Sequence, residues 1–154
     1  MPAATAVTVP TSPTLGAIPG LSGVLAGKKP ELGVEDGQLS PCPASPNCVV
    51  SQGGDAEHTI APIEYSGDRA AARDLLIKVL GVVPRTEIVS QTEDYIRVKS
   101  TSRIMGFVDD AEFYLPADES VIHLRSAARL GESDLGVNRR RLEQIRLALK
   151  DLGI

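Results

Sequence analysis

Between Asp68 and Leu80 the apolar residues Ala72, Leu75, Leu76, Val79 and Leu80 follow one another at helical spacing. That pattern buries one stripe of a helix, and Gly81 and Pro84 end it. A second such stripe, Leu142, Ile145, Leu149 and Leu152, runs through Gly136–Leu152 and leaves Arg139, Glu143, Arg146 and Lys150 outside. Between the helices the period drops to two, the signature of half-buried strands. Thr86–Gln91 and Asp94–Thr101 place Ile88, and Ile96 with Val98, on single faces, and the short Thr92-Glu93 link predicts a hairpin. Phe107–Leu115 aligns Ala111, Phe113 and Leu115, Val121–Ala127 aligns Ile122 and Leu124, and Pro116–Glu119 turns the chain between them. Thr59–Tyr65 reads as a short strand whose Pro62 suits a sheet edge. The sum is an α+β domain of order β-α-β-β-β-β-α, a curved antiparallel sheet with two helices packed on one face.

The first 39 residues lack any such period. Rich in Pro, Gly, Thr and Ala, they bury too little to offset the entropy of ordering, so residues 1–39 read as a flexible arm and 40–154 as a single domain. The chain has 154 residues, 42% hydrophobic and 23% charged, which suits one core. A net charge of -4 and 3% aromatic residues argue against nucleic acid as a partner, because phosphate attraction and base stacking are both weak. The apolar runs fall short of the roughly 20 residues that cross a bilayer, so a soluble protein without a transmembrane segment is expected. Residues 1–27 carry no Lys or Arg, and Pro19 and Gly20 interrupt Leu15–Leu25. That is a poor signal peptide, and it favours the cytoplasm.

Three groups of residues could carry chemistry. Cys42 and Cys48 enclose a Pro-punctuated loop short enough to close a disulfide. Reduced structural thiols, or metal or catalytic use, are the alternatives. Asp109, Asp110 and Glu112 could be metal ligands with His58 or His123, but strand alternation puts Asp110 and Glu112 on one face and Asp109 on the other. The competing reading is a charged outer face on which Arg97, Lys99 and Arg125 pair with the acids across the strands. The third group is the stretch of five arginines from Arg125 to Arg141. Arg125, Arg129, Asn138 and Arg139 could bind an anion at the start of the last helix. Alternatively Ser133 or Asp134 caps that helix and the arginines lock onto Asp109, Asp110 or Glu132. No catalytic residue, metal site or cofactor is assigned.

Ser40-Pro41-Cys42-Pro43-Ala44-Ser45-Pro46-Asn47-Cys48-Val49, Val108-Asp109-Asp110-Ala111-Glu112-Phe113 and the run from Arg125 to Arg139 together resemble the DUF1499 family, a domain family of unknown function, over about Ser40 to Gly153. The resemblance implies members spread through bacteria and photosynthetic lineages, many exported, lipid-anchored or organellar, and it makes an exported or lumenal location an alternative. It brings no catalytic residue. The function is therefore expected to be unknown in kind: a non-enzymatic binding or accessory domain that engages an unknown protein or a small anionic ligand. The alternatives are a structural factor or an enzyme, either a hydrolase or a thiol-dependent activity. The enzyme would need His58 or His123 to converge with Cys48 or the acidic strand.

Overall fold

The computed structural model describes residues 30–131 and 135–154. In chain order the elements are β1 (Val34–Glu35), β2 (Gln38–Leu39), β3 (Cys48–Val50), β4 (Ile63–Glu64), α1 (Arg69–Leu80), β5 (Thr86–Gln91), β6 (Tyr95–Thr101), β7 (Val108–Tyr114), β8 (Val121–Ala128) and α2 (Val137–Asp151). The main sheet has the order β3-β8-β7-β6-β5, and β4 pairs with the first residues of β8 while β3 pairs with its last ones. Every one of these pairings is antiparallel. The α+β class and the meander from β5 to β8 are those the periodicity predicts.

Alternation along the strands gives the sheet two unlike faces. Ile96, Val98, Ala111, Phe113, Ile122 and Leu124 point to the helices and pack with Leu76, Leu80, Leu142, Ile145 and Leu149. Eight of these eleven residues are wholly inaccessible to solvent, so this is where hydrophobic burial stabilises the domain. The Asp68 carboxylate accepts from the Ala71 N–H and caps α1. At α2 the N-cap position is Gly136, in the left-handed region at φ 76°. The cap expected from Ser133 or Asp134 lies outside the described residues.

Two departures come from elements too short to show a period. The expected strand Thr59–Tyr65 contracts to Ile63–Glu64 plus a single parallel bridge from Thr59 to Val50, and the sheet edge beside it is Cys48–Val50, from the Pro-rich loop. Residues 34–39, assigned to the arm, pair as a hairpin around Asp36 and Gly37, both at positive φ. Leu39 of that hairpin is buried, and its N–H donates to Gln52 Oε1 at 2.8 Å. The segment from Pro30 to Pro43 crosses the sheet face opposite the helices: Pro30, Leu32 and Pro43 stand beside Asp110, Arg125 and Arg129, and β2 packs on β8. The sheet thus lies between two helices and a strap of irregular chain.

Candidate functional site

Beneath the strap β7 presents Asp110 and Glu112, flanked by Tyr95 and Arg97 from β6 and Arg125 from β8. The Asp110 carboxylate accepts from Arg97 Nη2 at 2.9 Å and from Arg129 Nε and Nη2 at 2.7 and 3.0 Å. Glu112 accepts from the Tyr95 hydroxyl at 2.7 Å, and its other oxygen lies 3.6 Å from Arg125 Nη1. Arg125 spends its remaining donors on the strap, with Nε on Ser40 O at 2.8 Å and Nη2 on Pro41 O at 3.3 Å. Asp110 and Glu112 are 1% and 0% exposed. The expected charged outer face is therefore a buried ionic network, because the strap covers it. Lys99 stands apart and pairs with Glu87 at 3.4 Å.

Burial alone would raise the Asp110 carboxyl, but the hydrogen bonds and charges of Arg129 and Arg97 prevail and hold it below the usual carboxylate range. At Glu112 burial wins and pushes the carboxyl up, despite the Tyr95 hydrogen bond and Arg125. Burial and then the Glu112 carboxylate push the Tyr95 hydroxyl far up as well. Arg97 Nε and Glu112 Oε2 are buried without a hydrogen-bond partner among the described residues.

The anion-binding set expected from sequence does not converge. Arg125 and Arg129 both border Asp110 on the strap side. Asn138 lies on the helix side, where its Oδ1 accepts from the Ser126 hydroxyl and its Nδ2 donates to Asn47 O at 3.4 Å. Arg139 reaches the other way, to the carbonyls of Thr59 at 2.8 Å and Glu57 at 3.2 Å. Cys42 and Cys48 form a disulfide with their Cα atoms 5.7 Å apart, which closes the loop that carries Ser45. Both ring nitrogens of His58 face acceptors, Asp55 Oδ1 at 2.7 Å and Ser45 O at 2.9 Å. These contacts, first Ser45 and then Asp55, raise its pKa. His123 is placed by Ser51 Oγ at 3.2 Å and Glu119 at 3.7 Å, and it stacks on Tyr114.

A different end of the domain holds an open concentration of positive charge. A cleft of about 340 Å³ opens where the α1–β5 loop, the end of β6 and the first turn of α2 meet. Arg85, Arg103, Arg140 and Arg141 line it with the hydroxyl residues Ser100, Thr101 and Ser102, and no described lining residue is acidic. Of the four arginines, Arg141 alone pairs with a carboxylate among the described residues, Asp109 Oδ2 at 3.0 Å. Arg85 and Arg140 donate to the backbone carbonyls of Thr101 and Leu135, at 3.2 and 2.6 Å, which leaves their charge uncompensated among the described residues.

Residues 38–149 match the family described as "Protein of unknown function (DUF1499)", close to three quarters of the chain. The chain belongs to DUF1499. No curated protein and no solved structure matches it. The matched span of this DUF1499 domain takes in the ionic network and the cleft but not Pro30–Gly37 of the strap. The arginine-rich stretch of the sequence signalled half of the cleft, through Arg140 and Arg141. Arg85 and Arg103 sit alone in their loops, and only the fold brings them to α2.

Proposed function

We propose that this DUF1499 domain is a non-enzymatic binding module that takes a small anionic ligand in the arginine cleft beside α2. The observation that carries the reading is four arginines and three hydroxyl residues around one cavity, without an acid among its described lining, in a chain of net charge -4. Guanidinium groups bind phosphate or carboxylate bidentately, and the size of the cleft suits a small molecule. Arg125, Arg129, Asn138 and Arg139 act in this reading as ties that hold the strap, the Asn47 loop and the 57–59 loop, since their donors already rest on carbonyls or carboxylates. The disulfide supports work in an oxidising compartment rather than the cytoplasm.

Thermal unfolding with and without inorganic phosphate and pyrophosphate tests the assignment. Ligand that binds only the folded chain raises its Tm. The upward shift is expected for wild type and for Arg139→Gln, and is expected to vanish in the Arg85→Gln/Arg103→Gln double variant without a fall in basal Tm. An undiminished shift in the double variant removes the cleft from consideration.

A further inference from the structure

We propose that the Cys42–Cys48 disulfide is a thiol-operated latch on the strap, opened by a dithiol reductant to uncover Tyr95, Arg97 and Glu112 on the outer face of the sheet. The latch is independent of the arginine cleft and of any ligand bound there. Closed, the strap leaves Glu112 Oε2 and Arg97 Nε buried without hydrogen-bond partners among the described residues, on side chains of residues 0% and 6% exposed. Gly33 of the strap stands near enough to favour the charged form of Glu112 but gives Oε2 no hydrogen bond. A buried polar atom left unpaired is a standing cost of closure, and water removes that cost when the cover lifts. The closed strap must therefore be held by ties outside the network.

Those ties end at the bridge. Ser40 O and Pro41 O accept from Arg125, the Leu39 N–H donates to Gln52 Oε1, and Gln52 Nε2 donates to Gly37 O. Next along the chain, Cys42, Pro43 and Ala44 make no hydrogen bond among the described residues. The disulfide is the one covalent or hydrogen-bonded tie there, and it pins the end of the strap to Cys48, which pairs with Ala127 across the β3–β8 edge. With the bridge open, the next anchor is Ser45, whose carbonyl accepts from His58. The two sulfurs are unequally accessible. Cys42 is half-buried between the exposed Pro41, Pro43 and Ala44, whereas Cys48 is 1% exposed. A reductant thiolate therefore attacks Cys42 Sγ: a mixed disulfide forms there, the Cys42–Cys48 bond breaks, and its electron pair leaves on Cys48 Sγ, which takes a proton. The second thiolate of the dithiol then attacks the reductant sulfur of the mixed disulfide and expels the Cys42 thiolate, so the dithiol is oxidised to a disulfide and both cysteines are reduced.

Amide exchange of the full chain, oxidised and after dithiothreitol, provides the test. The Leu39 N–H reports on the strap, and the Leu76 and Leu142 amides of the two helices report on the core. On reduction Leu39 should exchange about tenfold faster while Leu76 and Leu142 stay protected. A Glu-specific protease should also cut sooner after the exposed Glu31 and Glu35 of the strap, and reoxidation should restore both slow rates. Glutathione offered to the oxidised chain and quenched with acid should be recovered on Cys42. The Cys42→Ser/Cys48→Ser variant should behave as the reduced wild type, and the dithiothreitol-treated wild type gives the same comparison if that variant does not fold. Unchanged Leu39 exchange after verified reduction overturns the latch. Equal acceleration at Leu39, Leu76 and Leu142 overturns it as well, because the bridge is then a staple of the whole fold. A bridge that dithiothreitol opens only in urea, or glutathione recovered on Cys48 alone, overturns the access at Cys42 on which the proposal stands.

Discussion

Asp110 is held by two guanidinium groups in a space that water barely enters, so removing its charge leaves Arg97 and Arg129 facing a neutral side chain. Breaking a buried pair from one side costs about 3–5 kcal/mol. Asp110→Asn is accordingly expected to lower the unfolding free energy by that amount, seen as a lower urea midpoint at unchanged slope, and a loss under about 1 kcal/mol would show that the network is already solvated. The lowered Asp110 pKa fixes a sign: its contribution is present above the unfolded carboxyl value near 3.9 and fades as pH falls through the folded value. His58 works oppositely. Its pKa is raised, so its contribution is complete below the unfolded imidazole value near 6.5 and is lost as pH rises through the folded value. Replacing His58 with Gln should flatten the decline in stability above neutrality, and a profile superimposable on wild type there would remove the Asp55–His58–Ser45 clasp from the account.

Elements long enough to repeat a period are legible in the residues themselves: both helices and the four strands from β5 to β8 lie within a residue or two of where Leu76, Phe113, Leu124 and Leu142 place them. The correct grouping of Asp110 with Glu112 on one face follows from the same alternation. What covers that face does not. The strap has strands of two residues and prolines at Pro30, Pro41 and Pro43, and it is held by carbonyls that accept from Arg125 and by a disulfide, none of which leaves a pattern of apolar residues. The cleft is half legible for a related reason, since long-range convergence of single arginines has no local signature. The disulfide carries the element-scale prediction. Closing so short a loop restricts the unfolded chain by about 2 kcal/mol, and it also positions Ser40 and Pro41 for Arg125. Reduction, or Cys42→Ser with Cys48→Ser, should lower stability by about 2–3 kcal/mol and speed amide exchange at Ser126 and Val49 along the β3–β8 edge. Unchanged exchange at that edge would mean that the loop is held without the bridge.

On the scale of the whole molecule the sheet is covered twice, by an apolar layer that stabilises it and by a strap that seals a polar one. The second cover sets where the domain begins. A chain starting at Ser40 keeps the carbonyls that bind Arg125 but loses the hairpin, the buried Leu39 and the ties of Gln52 to Leu39 N and Gly37 O at 2.8 and 3.0 Å. Burying one Leu side chain contributes about 1.5–3 kcal/mol, so the chain from Ser40 should melt roughly 5–10 °C below the chain from Pro30. The gap should also depend on pH, and here Glu112 decides the direction. Under the intact strap its pKa is raised, so stability falls as pH rises from the unfolded carboxyl value through the folded one. With the strap shortened, water reaches Glu112, the shift relaxes, and that loss disappears from the truncated chain alone. Asp110, with its lowered pKa, titrates below this window, and His58 is held by Asp55 and Ser45, which both chains keep. The difference in stability should therefore be largest in acid and narrow toward neutral pH, as measured by urea unfolding of the two chains side by side. A difference that widens with pH would place the strap's hold on Arg125 rather than on Glu112, and equal stability throughout would put the start of the domain at Ser40.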